Sequence, residues 1–374
     1  MQFIDLNSQY SLLRRKIDSR IQQVLNHGAY INGPEVHELE VRLQEFLNVK
    51  NAITCANGTD ALVLGLLALD VQQGDLVLCP AFTFFASAEA VAVCGAIPVF
   101  VDCDSNTFNM CPVSLEKTII ELQARALAIP KVILTVDLFG LPADYESITK
   151  IAKKYNLKIL EDAAQGFGGS INNVKACSFG DVSTTSFFPS KPLGCYGDGG
   201  AVFTNSEAYA QTIRSLAQHG KGTDKYDNIR IGMNSRLDTI QAAVLLEKLE
   251  VFPEEIALRN QIAGRYEKLL GDYVTTPVVP KGYISSWGQY TIRSAHRETI
   301  KSYLATKDIP SMIYYKKCLH QQKAFAEMDS RIINPLELNQ SVQLSSEVLS
   351  LPMHPYVTDE NLQTICESVK SCLS

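Results

Sequence analysis

The sequence predicts an α/β protein: a large doubly wound domain built on a mostly parallel sheet, followed by a smaller C-terminal α+β domain. Three observations carry that prediction. From Asn51 to Gln165, short apolar runs alternate with helix-length runs, and strands joined by helix-length segments pair in parallel through right-handed crossovers. At 374 residues the chain exceeds one ordinary core, so two domains are expected. Finally, the helical pattern over Thr239 to Leu249 stops before Pro253 and a second begins at Glu254. That places a hinge near Val251 to Pro253 and divides residues 1–251 from 252–374.

Taken in order, the stretch from Ser8 to Asn26 is predicted helical, with Leu12, Leu13, Ile17, Ile21, Val24 and Leu25 as its apolar stripe. His27 to Pro34 breaks it, and a second helix runs from Pro34, suited to a first turn, to about Leu47. A strand over Asn51 to Cys55 leads into Asn57-Gly58-Thr59-Asp60 and the buried helical run ALVLGLLAL. Free N–H groups and the positive end of a helix dipole at such a start suit an anion; a plain N-cap accounts for the same residues.

The alternation continues through LVLCP, a helix over Thr83 to Cys94, IPVFVD, a helix over Val113 to Leu127, KVILTVDLFG, a helix over Tyr145 to Tyr155, and LKILEDAAQ. Ligands of doubly wound sheets sit beyond the carboxyl ends of the strands. The residues there are Gly58 and Thr59, Phe82 to Phe85, Asp137, and Asp162 to Gln165.

The stretch SFFPSKPLGCYGDGGAVFTN, Ser186 to Asn205, holds a single lysine, Lys191, between Pro189 and Pro192 and ahead of Gly194, Gly197, Gly199 and Gly200. Prolines and glycines in that density favour a stiff loop over a helix. A lysine held in apolar surroundings loses solvation of its ammonium form, and the lowered pKa suits a nucleophile; an isolated lysine is otherwise a solvated surface residue. Asp162 follows the apolar strand LKIL, where a carboxylate is poorly solvated. It calls either for a cationic partner or for a local helix N-cap role.

Beyond Asn205 the pattern gives a helix over Glu207 to Gln218, an exposed loop over Lys221 to Arg230, and the run Gly232-Met233-Asn234-Ser235-Arg236. The second domain contains strand-like WGQYTIRS, a helix over Glu298 to Lys307, the segment IPSMIYYKKCLHQQ, and a closing helix over Asp359 to Cys372.

In their order and spacing, Asn57-Gly58-Thr59-Asp60, Thr83-Phe84, Glu161-Asp162-Ala163-Ala164-Gln165, Ser186 to Lys191 and Asn234-Ser235-Arg236-Leu237-Asp238 resemble the pyridoxal-phosphate-dependent nucleotide-sugar aminotransferases of the DegT/StrS family. Within it, SFFPSKPLGCYGDGGA and LPMHPY most resemble aminotransferases of UDP-2-acetamido-3-keto-glucuronic acid from surface-polysaccharide pathways. The resemblance implies aminotransferase fold type I, pyridoxal 5'-phosphate as cofactor, an amino donor such as L-glutamate, and a nucleotide-linked keto sugar as acceptor. It makes Lys191 the covalent anchor and proton carrier, and Asp162 the group that keeps the cofactor ring protonated. Gln165 would meet the phenolic oxygen and Phe84 would stack on the ring; Gly58, Thr59 and Ser186 would hold the phosphate. Asn234 would reach the phosphate of a neighbouring subunit, which implies a homodimer with a shared site. Arg236 suits substrate or interface anions, or a plain salt bridge. Where many relatives have His-Tyr-Pro, this chain has Tyr314-Tyr315-Lys316. Tyr315 matches the tyrosine, whereas Tyr314 and Lys316 depart from the pattern and leave the sugar open.

Composition excludes other classes. A net charge of -6 with no long basic run leaves no footprint for nucleic acid or an anionic membrane. Ten cysteines without CxxC pairs or zinc-like spacing suggest neither a metal site nor a disulfide framework, but buried, reduced thiols. No run approaches membrane-spanning length and the first residues lack a signal-peptide core, so a cytoplasmic protein is expected. Gly166-Phe167-Gly168-Gly169 lacks the dinucleotide-binding spacing. Three alternatives stay open: an aminotransferase of dTDP-linked keto-6-deoxyhexoses, a sugar dehydratase, against which Lys191 argues, and a non-catalytic cofactor-binding sensor.

Overall fold

The computed structural model describes residues 1–224 and 226–373; Lys225, inside the loop expected over Lys221 to Arg230, lies outside them. Helix α1 (Leu6–His27) is capped by the Asp5 side chain, which accepts from the Ser8 amide, and it ends at left-handed Gly28. It buries Leu13, Ile17 and Val24, while Leu12 and Leu25 of the expected stripe are exposed. A single stripe against one neighbouring helix is narrower than the face first assigned. Helix α2 (Pro34–Leu47) starts on its proline as expected.

The large sheet takes strands β1 (Asn51–Cys55), β2 (Leu76–Pro80), β3 (Ile97–Val101), β4 (Val132–Val136) and β5 (Lys158–Asp162). Between them run α3 (Gly58–Ala68), α4 (Ala86–Val93), α5 (Pro112–Ala124) and α6 (Tyr145–Tyr155). A small hairpin, β6 (Ser170–Ile171) and β7 (Val174–Lys175), precedes β8 (Val182–Ser186) and β9 (Gly200–Thr204); α7 (Glu207–Leu216) follows. The spatial order is β1-β9-β8-β5-β4-β2-β3. Only β9 runs against the others. The sheet is therefore parallel through its centre, and the carboxyl ends of β2, β4, β5 and β8 open on the same edge. Helix α4 starts later than expected because Thr83 to Phe85 form the turn that leaves β2.

Helix α8 (Thr239–Leu270) is one continuous helix through Pro253, where two helices and a hinge were expected. Proline removes a bond to the carbonyl one turn back, but burial on both sides overrides that cost. Leu245, Leu249, Phe252 and Ile256 pack in the core beneath the sheet, and Ile262, Tyr266 and Leu270 pack in the C-terminal core. The division expected at 251/252 thus falls inside a helix that serves both cores. The C-terminal part adds β10 (Tyr283–Ile284), which pairs with β6, and β11 (Tyr290–Arg293), which pairs with β12 (Val348–Leu351). Its helices are α9 (Arg297–Thr306), α10 (Ser330–Ile333), α11 (Asn339–Glu347) and α12 (Asp359–Ser371). All ten cysteines are free thiols, and among the described residues no helix is long and apolar enough to cross a membrane.

The LPMHPY run belongs to this second core. The Pro352 carbonyl accepts from Tyr266, the Met353 carbonyl accepts from Arg259, and Tyr356 donates to Glu255. Burial, aided by the Arg259 charge, pushes His354 down to about 4. A histidine depressed in the fold takes up protons preferentially when unfolded, so its contribution is complete above pH 6.5 and is lost as pH falls towards 4. Urea titrations of His354→Gln between those pH values are expected to show on the order of 3 kcal/mol less acid sensitivity than the parent.

Candidate active site

Part of the predicted set, Gly58, Phe84, Asp162, Gln165, Ser186 and Lys191, lies at the carboxyl edge of the sheet, brought there by separate elements. Three buried acids lie there, and hydrogen bonding sorts them. Asp137, just past β4, accepts from the Ala143 amide (2.9 Å) and the Tyr145 hydroxyl (2.8 Å), and so pins the following turn. Glu161 points to the opposite face of β5, where the Cys177 and Phe179 amides and the Ser183 hydroxyl donate to it. Among the described residues, Asp162 accepts from the Ala164 amide (3.1 Å) and the Ser87 hydroxyl (3.2 Å). Burial raises its pKa, opposed by the Ala164 bond, the Lys191 charge and Ser87. Of the three, it is the acid left facing a cation.

Lys191 stands in the loop after β8, its amide donating to the Phe188 carbonyl (2.8 Å). Burial draws its pKa down, with Asp162 pulling the other way. The loop expected from its prolines and glycines is present, and the two groups are near enough to influence each other's protonation.

An anion cradle lies beside this pair. Asn57 caps α3 by accepting from the Asp60 amide (2.8 Å), so the N-cap reading of this motif holds. The first helical amides, of Gly58 and Thr59, still have no partner within the helix. Gly58 presses on the end of β8: a Cβ there would come within 2.6 Å of the Ser186 Cβ. Gly58→Ala is therefore expected to cost about 1–3 kcal/mol by overpacking and to weaken phosphate binding. Urea denaturation and calorimetric titration with pyridoxal phosphate check the two effects separately.

Gln165, after β5, is held at both ends. Its Oε1 accepts from the Phe139 amide (2.7 Å) and its Nε2 donates to the Tyr315 hydroxyl (3.1 Å). Phe84 is 53% exposed and its ring centroid lies 6.1 Å from that of Tyr315; an exposed aromatic at a strand end favours a ligand-facing wall over a core role. Burial raises the Tyr315 phenol, which stays protonated at neutral pH. Tyr314 packs on Tyr315 and on Phe3 of the N-terminal segment, whereas Lys316 is exposed. Asn234 is also exposed, bridged to Gln218; its neighbour Ser235 is buried and accepts from the Ala56 amide (3.1 Å). Arg236 is half-buried. Among the described residues, the structure does not join the Asn234 or Arg236 side chain to the Lys191–Asp162 group by a hydrogen bond.

Sequence reasoning assigns no role to Ser87, Phe139 or Ser235, although Ser235 stands within the Asn234 to Asp238 motif. Phe139 follows the end of β4, which is a signal; Ser87 lies in the first turn of α4 and meets Asp162 only through the fold, and Ser235 carries no signal beyond its place between Asn234 and Arg236. Among the described residues, no cluster of three or more His, Cys, Asp or Glu is placed to hold a metal.

The DegT/DnrJ/EryC1/StrS aminotransferase family model matches residues 12–370. Over 370 residues, 99% of both chains, the protein is 45% identical to UDP-2-acetamido-2-deoxy-3-oxo-D-glucuronate aminotransferase of Pseudomonas aeruginosa. A crystal structure of a DegT/DnrJ/EryC1/StrS aminotransferase from Brucella abortus superposes with a TM-score of 0.97 at 48% identity, covering 100% of each chain. The Bacillus subtilis protein NtdA, solved with bound cofactor PMP, superposes with a TM-score of 0.89 at 29% identity, covering 99% of this chain and 83% of that one.

Proposed function

Because the chain belongs to the DegT/DnrJ/EryC1/StrS aminotransferase family, we propose that it transfers an amino group from L-glutamate, through pyridoxal phosphate, to UDP-2-acetamido-2-deoxy-3-oxo-glucuronate for surface-polysaccharide synthesis. The observation that carries the chemistry is the pairing of half-buried Lys191 with the buried carboxylate of Asp162 beside the Gly58–Ser186 cradle. Full-length similarity to the Pseudomonas enzyme supports the acceptor.

The residues present fit the cofactor. Open amides at the start of α3 and the Ser186 hydroxyl suit a phosphate, and the tight approach at Gly58 leaves no room for a side chain there. Asp162 suits a protonated ring nitrogen, Phe84 the ring face, and Gln165 a phenolic oxygen through its second amide proton. Bound there, the cofactor supplies a carbonyl that carries nitrogen and a cationic ring that draws electrons from the carbon losing its proton. Lys191 Nζ would anchor it and would hold and return a proton at the amino-bearing carbon, a role its lowered pKa suits. Tyr315, held by Gln165, walls the site from water with Phe84. Tyr314 and Lys316 are assigned to the sugar, with Lys316 exposed and free to meet its carboxylate. Asn234 and Arg236 serve the site of a second subunit in a homodimer, consistent with the exposure of Asn234.

Glutamate alone should yield one 2-oxoglutarate per active site, and sustained turnover should require the UDP-3-oxo-uronate. Continued turnover without a keto sugar contradicts the two-stage scheme, and preference for a dTDP-linked 6-deoxy sugar contradicts the acceptor.

A further inference from the structure

Helix α8 reaches the loop that carries Lys191 through two side chains the chemistry above does not use. Lys248 is 1% exposed, donates from Nζ to the Gly194 carbonyl (2.7 Å), and lies 4.2 Å from the centroid of the Tyr196 ring. Gln241, about two turns earlier on the same face, accepts from the Tyr196 amide through Oε1 (2.8 Å). It lies so close to Gly197 that a Cβ there would come within 2.9 Å of its Nε2. The loop is closed on itself. The Lys191 amide binds the Phe188 carbonyl, the Cys195 amide binds the Phe187 carbonyl at 2.8 Å, and Gly194 abuts the Pro189 carbonyl so tightly that a Cβ would lie 2.6 Å away. With Pro189 and Pro192 limiting φ on either side, a displacement at Gly194 has no slack to absorb it before Lys191.

We propose that Lys248 and Gln241 are positioning residues that set the reach of Lys191 by clamping the loop just beyond it. An ammonium in the core is expensive, and an apolar side chain of similar shape commonly fills such a place at no loss of stability. Packing alone therefore does not account for a lysine here, whereas a specific bond to one loop carbonyl does. Burial draws the Lys248 ammonium down to about 8, while the charge of Glu255 acts to keep it protonated and able to donate. Asp162 and the start of α3 lie outside the clamped loop, and Ser186 meets it only near its beginning, through the Phe188 amide (3.2 Å), so the clamp beyond Lys191 acts first on the covalent anchor.

This inference rests on Lys191 being the anchor of pyridoxal phosphate and is independent of the sugar. The test compares Lys248→Met and Gln241→Leu with the parent, in the full chain, for binding of two ligands. Pyridoxal phosphate has the aldehyde that Lys191 captures; pyridoxamine phosphate carries an amine there and is held by the non-covalent pocket only. Both variants are expected to bind pyridoxal phosphate about tenfold more weakly, the worth of one hydrogen bond, with pyridoxamine phosphate changed less than about twofold. Equal weakening of both ligands, or no weakening of either, overturns the proposal. If Lys248→Met does not fold, Gln241→Leu decides by the same comparison. A parent protein that fails to bind pyridoxal phosphate overturns the functional reading itself, an outcome distinct from a variant that loses the difference between the ligands.

Discussion

Lys191→Met is expected to remain folded, to lose covalent capture of pyridoxal phosphate, and to fall in kcat on the order of 10⁴-fold or more, because one amine both anchors the cofactor and carries the proton. Stability should not suffer. A lysine whose pKa is depressed by burial binds its proton less readily in the folded chain than in the unfolded one. Its contribution is therefore complete at alkaline pH and is lost as pH falls through the depressed value. At neutral pH the amine is a burden on the cofactor-free protein, and methionine relieves it. The melting temperature of cofactor-free Lys191→Met should equal or exceed that of the parent, and steady-state assays give the activity. A variant that keeps measurable turnover, or one that becomes fixed to the cofactor on borohydride treatment at another residue, contradicts the role assigned to position 191.

The reach of sequence reasoning followed the strength of the local signal. Strands β1 to β5 and the helices between them were legible because each is an apolar run bounded by clear turn residues, and parallel pairing follows from the helix-length connections. Once the strand ends were known, so were Asp162, Gln165 and Phe84. The continuity of α8 was not legible, because proline is a local veto and the burial of Phe252 and Tyr266 that overrides it is a property of two separate cores. Strands β6, β7 and β10 are two residues each, too short to carry a period. Ser87 was invisible because its bond to Asp162 joins residues distant in sequence. The LPMHPY run contributed to the family resemblance, yet its side chains and carbonyls brace the C-terminal core around Arg259 and Tyr266.

Asp162→Asn is expected to separate stability from activity. The side chain keeps its shape and can still accept from the Ala164 amide, so the turn after β5 should survive. What disappears is the negative charge, and with it the means of holding the cofactor ring nitrogen protonated; kcat should fall on the order of 10³-fold, with a smaller change in affinity for pyridoxamine phosphate. In the cofactor-free protein the effect is reversed. Burial raises the Asp162 pKa, so the folded chain holds that proton more tightly than the unfolded one. The carboxyl then favours folding at acid pH, and this contribution is lost as pH rises through the folded value. Above that value a charged Asp162 faces a desolvated environment with few bonds, and asparagine removes the penalty. Cofactor-free Asp162→Asn should melt at or above the parent temperature at neutral pH, and its stability should depend less on pH on the acid side. An equal drop in melting temperature and turnover would instead make Asp162 a structural acid like Glu161, whose oxygens are already satisfied by Cys177, Phe179 and Ser183.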